Sequence, residues 1–78
     1  MLSPDQVVDA YFLEARHQLL EVAALLDRHD AAVAREGRAA GPAAAAKLAV
    51  LRQAIAALGD DRPAEERTVA LLELFARV

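Results

Sequence analysis

The sequence predicts an all-α fold, a helical hairpin with a long first helix and a second arm broken near Gly59. Three observations carry this. Between Val7 and Ala34 there is neither proline nor glycine. Apolar residues in that stretch recur at alternating four- and three-residue steps, the spacing of a helical seam. Elsewhere the three glycines and three prolines fall at element borders, and no stretch alternates apolar and polar residues as a strand would. The expected helices cover about 4–35, 42–58 and 63–77 of a single 78-residue domain.

The first helix opens on Ser3-Pro4-Asp5-Gln6. A serine oxygen can accept orphan backbone N–H groups, proline suits the first helical position, an acid suits the positive first turn, and glutamine closes a capping box. About 30 residues at 1.5 Å each make a rod of about 45 Å. One seam runs Val8, Phe12, Ala15, Leu19, Val22, Leu26 and Val33, with His29 at the remaining position. A second, weaker row runs Leu13, His17, Leu20, Ala24 and Ala31. Polar strips lie around them: Glu14, Gln18, Glu21 and Arg28 on one side, Asp9, Arg16 and Asp27 on another. A helix that is apolar on two sides packs against two neighbours, and its own chain can cover only one well.

Gly37 suits a C-terminal cap and Gly41-Pro42 a restart. The second helix carries Ala44, Leu48, Leu51, Ile55 and Leu58 at seam spacing, and Ala43 to Ala46 permit close backbone approach. Gly59-Asp60-Asp61-Arg62-Pro63 stops it. The third helix is expected from Pro63, with Glu65 and Glu66 in its first turn, Val69, Leu72 and Phe75 or Ala76 on its apolar side, and Arg77 near its negative end. A second helix of about 25 Å spans half of the first, so the third is expected to continue in line with it. Two such hairpins would form a four-helix bundle, making the expected partner a second copy held through Val8, Phe12, Leu13, Leu19, Leu20 and Leu26.

Composition points the same way. Of 44 apolar residues, 20 are alanine, which leaves 24 larger side chains to build a core. That supply is thin for an isolated chain of this size. With no cysteine, disulfides and thiolate zinc sites are excluded, leaving self-association or a His/carboxylate metal site to add stability. A net charge of -3 and only three aromatics, Tyr11, Phe12 and Phe75, argue against a nucleic-acid binder. No apolar run approaches the roughly eighteen residues a membrane span needs, and Met1 to Asp5 carry no basic start or apolar signal core. A cytoplasmic protein is expected.

Catalytic constellations are sparse. The sole serine, Ser3, is committed to the cap, and no glycine-rich phosphate loop exists. Glu14-Ala15-Arg16-His17 places a carboxylate and an imidazole on one helical face, and Glu21 extends that face by a turn. This Glu-x-x-His spacing resembles the ligand pair of ferritin-like di-metal carboxylate proteins. The resemblance implies a site for iron, manganese or zinc, formed by Glu14, His17 and Glu21 of two subunits. A bridging carboxylate is also needed, and Glu73 is its sole candidate because no acid lies between Pro42 and Leu58. The plainer reading of the same residues is a solvated charged strip. His17 and His29, beside apolar rows, are expected to pack their rings and bond a nearby carbonyl or carboxylate. Arg16, Asp9 and Asp27 are expected to pair within the helix or across a subunit boundary. Tyr11 lies between the seams, so its hydroxyl must reach water or a polar group.

The segments Tyr11 to Arg16, Leu19-Leu20 and Ala23 to Arg28 together resemble small bacterial helical proteins of no assigned activity. Glu14, Arg16, Asp27 and Arg28 are the polar positions that match, and His17 is not among them. The leading expectation is a non-catalytic helical protein that self-associates as an interaction or accessory module, with the metal-binding half-bundle as its alternative and a subunit of a larger enzyme as a third.

Overall fold

The computed structural model of the chain describes residues 1–60 and 66–78; Asp61, Arg62, Pro63, Ala64 and Glu65 lie outside the described residues. Three helices are present and no strand is found among the described residues: α1 Pro4–Glu36, α2 Pro42–Gly59 and α3 Arg67–Phe75. The fold is all-α. The chain divides into two compact units, Met1–Arg38 and Ala39–Val78. No helix among the described residues is long and apolar enough to cross a membrane.

The first unit is α1 alone, 33 residues and about 50 Å long. Its start is built as the local sequence dictates. The Gln6 backbone N–H donates to Ser3 Oγ at 3.2 Å, and the Ser3 N–H donates to Gln6 Oε1 at 2.9 Å. Two of the orphan donors at the helix start are thereby satisfied within four residues. Its end is equally local: Gly37 adopts φ 70°, ψ 20°, and its N–H donates to the Val33 carbonyl at 2.8 Å. A side chain at that left-handed position would crowd the following carbonyl, which is why glycine closes the helix. No residue of α1 is buried.

The second unit is α2 with α3 packed on it. Gly41 caps α2 through its backbone, with the Ala45 N–H donating to the Gly41 carbonyl at 2.8 Å and Pro42 at the first helical position. Val50 and Ala54, one turn apart, are the buried residues among those described. With half-buried Ala57 they form a line that differs from the expected seam: Leu48 and Leu51 are half-buried, whereas Ala44, Ile55 and Leu58 are exposed. The same shift occurs on α3. Val69, Leu72 and Phe75 are exposed, as is Ala76, and the inward residues are Ala70, Leu71 and Leu74. Larger side chains dominate any apolar seam read from sequence, whereas the inward lines here take in the small Ala54, Ala57 and Ala70 beside Val50, Leu71 and Leu74.

The in-line continuation expected of the third helix does not occur. α3 packs against α2, and Gln53, Ala56 and Ala57 of α2 line one crevice with Ala70, Glu73 and Leu74 of α3, so α3 folds back along α2. Arg67 ties the start of α3 to the end of α2. Its Nε donates to the Leu58 carbonyl at 3.2 Å and its terminal guanidinium nitrogen to the Asp60 carbonyl. The last carbonyls of a helix have no partner within it and carry partial negative charge, so a guanidinium fork there both bonds and neutralises. α3 is also shorter than expected. Glu66 is extended, φ -75° and ψ 129°, and caps the helix from outside it, so it is not a first-turn acid. The expected starts at Pro63 and Glu65 fall outside the described residues. At the other end Arg77 lies beyond the helix, its N–H donating to the Leu74 carbonyl at 3.2 Å in a tightened last turn.

Two outcomes test these local devices. Ser3→Ala should cost about 1 kcal/mol of helix stability, read as a loss of far-ultraviolet ellipticity and a lower denaturation midpoint. Arg67→Ala should cost a similar amount, about 1 kcal/mol, because the clasp is exposed. Hydrogen exchange of Ala70 to Phe75 should then accelerate ahead of that of Val50 and Ala54, and uniform acceleration through α2 and α3 would argue against a local clasp.

Candidate functional site

The surface with the most chemistry to offer is the apolar row of α1. Val8, Phe12 and Leu19 are 62%, 58% and 61% exposed, and Leu13 and Leu20 of the second row are also exposed. The row changes along its length: every residue up to Ala23 is exposed, whereas Ala24, Leu26, His29, Ala32 and Val33 are half-buried. Its bare part is therefore the amino-terminal half of the helix.

Relief on this face comes from one small residue. Ala15 sits between Phe12 and Leu19, and with Arg16 and Leu20 these line a shallow apolar depression. On its other side Ala15 borders a second, more polar depression with Tyr11, Glu14 and Gln18. A methyl side chain flanked by a phenyl ring and an isobutyl group leaves a hole between two knobs. That is the geometry by which one helix receives a side chain of another.

The charged groups of α1 are distributed unevenly in their pairing. His17 Nε2 lies 3.7 Å from Glu21 Oε1 across one turn, with the two side chains 75% and 65% exposed. His29 Nδ1 lies 3.0 Å from Oδ1 of its neighbour Asp30, in the expected imidazole–carboxylate pairing. Glu36 and Arg38 lie 3.6 Å apart at the helix end. Asp9 and Arg16, by contrast, have no hydrogen-bonding or ion-pair partner among the described residues. The expected pairing of Arg16 with Asp9 or Asp27 inside the helix is thus absent. Residues seven apart are about 10 Å distant along the axis, too far for a contact.

Of the proposed ligands Glu14, His17 and Glu21, the structure brings together His17 and Glu21 and does not add Glu14 to them. Among the described residues no three His, Cys, Asp or Glu side chains are grouped to hold a metal ion. Glu73, the bridging carboxylate that the ferritin-like arrangement requires, lies on the α2/α3 crevice with Gln53, Asp60 and Arg77. The crevice is walled by Ala56, Ala57, Ala70 and Leu74. Arg67 is the residue that sequence reasoning missed. Its signal was available: a basic residue a few positions beyond a helix stop can reach back to that helix's last carbonyls.

Because the His17–Glu21 pair is exposed, His17→Ala should change stability by less than about 0.5 kcal/mol in chemical denaturation, and a loss above about 1 kcal/mol would mean that the ring is packed. The chain matches no protein family, and no curated protein or solved structure matches it significantly.

Proposed function

We propose that the protein is a non-catalytic helical interaction module that works by self-association through α1. One observation carries the reading: a helix of 33 residues bears an apolar row with no residue buried, and its amino-terminal half is exposed throughout. From Val8 to Val33 the row keeps heptad spacing for almost four heptads, the length over which such a seam can support a helix pair. The composition supports it as well, since 24 larger apolar residues in 78 leave little for an internal core. A second copy offers the same row and covers it by symmetry.

Sedimentation equilibrium from about 1 to 500 µM tests this, because a complex of useful strength corresponds to dissociation constants in the micromolar range. A reversible dimer or higher oligomer is expected, and a monomer throughout that range would remove the reading. Leu19→Ala should weaken association by at least about tenfold, because a buried leucine contributes about 2 to 5 kcal/mol to the assembly that buries it. It should leave the dilute protein's secondary structure intact, since Leu19 is exposed in the single chain. A Leu19→Ala protein that associates as well as the parent would displace the contact from this row.

A further inference from the structure

Resting on the self-association reading, and going beyond it to orientation and register, we infer that two copies of α1 pair antiparallel through their amino-terminal halves. The twofold axis passes near Leu13 and Glu14. Phe12 of one copy then fills the hole over the partner's Ala15, and Asp9 meets the partner's Arg16.

The argument begins with side-chain size. On the seam, Phe12, Leu19, Leu26 and Val33 alternate with Val8, Ala15, Val22 and His29. A parallel pair sets like against like, so Phe12 would face the partner's Phe12 and Ala15 the partner's Ala15, crowding one layer and leaving a void in the next. An antiparallel pair sets the first series against the second. With the axis near Leu13 and Glu14, Phe12 lies over the partner's Ala15 and Leu19 over the partner's Val8. The apolar depression at Ala15, bordered by Phe12 and Leu19, leaves open space at that layer.

Charge selects the same arrangement independently. Asp9 and Arg16 occupy equivalent flanking positions of successive heptads and have no partner among the described residues. A parallel pair would place Arg16 beside the partner's Tyr11 and leave both charges without a counter-charge. The antiparallel register above forms Asp9–Arg16 twice, once on each side of the axis, and sets Tyr11 beside the partner's Gln18, where its hydroxyl finds a polar group.

Neighbouring antiparallel registers fail. One heptad outward places Asp9 against the partner's Asp9. One heptad inward opposes Arg16 to the partner's Arg16, and two inward oppose Asp9 to the partner's Asp30. Three inward pair Arg16 with the partner's Asp30, which His29 already engages, and set Phe12 against the partner's Glu36. The favoured overlap also coincides with the fully exposed half of the helix.

Charge reversal read by sedimentation equilibrium tests the register. Asp9→Arg and Arg16→Asp each place two like-charged pairs at the interface and should weaken association about tenfold, whereas the double reversal restores opposite charges and should return within about threefold of the parent. Single reversals without effect, or a double reversal that does not recover, overturn the register. Orientation has its own readout, because the chain has no cysteine and Asp27→Cys takes a single spin label. The antiparallel pair separates the two labels by about 40 Å along the axis, from 1.5 Å per residue, against about 15 Å in a parallel pair. Labels at the shorter distance in an associating protein overturn the inference and leave self-association standing. A parent protein that stays monomeric at about 500 µM overturns both.

Discussion

A helix satisfies its own backbone, but it cannot shield its own side chains from water. That limit governs the first half of this molecule. In α1 every interior N–H finds a carbonyl four residues back, and the cap of Ser3 and Gln6 and the left-handed Gly37 complete the two ends. Nothing in those devices covers Phe12 or Leu19, whose rings and methyls remain open to solvent. Hydrogen bonding makes α1 a rod, and the exposed apolar row leaves that rod with a hydration cost that its own backbone cannot relieve.

The second half solves the same problem internally and on a smaller scale. Two short helices pack on one another, and Val50 and Ala54 of α2 are buried. Polar chemistry ties the start of α3 to the end of α2. Arg67 supplies two donors to carbonyls that the end of α2 cannot satisfy itself. The two units therefore differ: one has a modest core of its own, and the other leaves its apolar row exposed.

What could be read from the sequence followed how local its cause was. The start of α1 was legible because every partner of the capping box lies within four residues, and the Gly37 and Gly41-Pro42 boundaries were legible for the same reason. The inward faces of α2 and α3 were not. An alanine-rich helix such as α2 offers little contrast between its sides, so the larger Ile55, Leu58, Val69 and Leu72 marked a seam, while the inward residues are Val50, Ala54 and Ala57 of α2 and Ala70, Leu71 and Leu74 of α3. The reversal of α3 was hidden because in-line and folded-back arms satisfy the same spacing, and only a side chain reaching across the turn distinguishes them. On the candidate surface, the apolar row was visible in full. The lack of a partner for Asp9 and Arg16 among the described residues was not, since spacing alone does not say whether two charges seven residues apart find other neighbours.

The Arg67 clasp also shapes how the molecule can tolerate change. Its acceptors are main-chain oxygens of Leu58 and Asp60, and a carbonyl persists whatever amino acid occupies a position, proline included. Substitutions at either acceptor site can thus alter size and charge while the fastening retains both its receptors. The donor has no such latitude, because no other side chain carries a planar fork on a stem of that length. The clasp itself thus hangs on one side chain, while its acceptors are atoms that substitution does not remove.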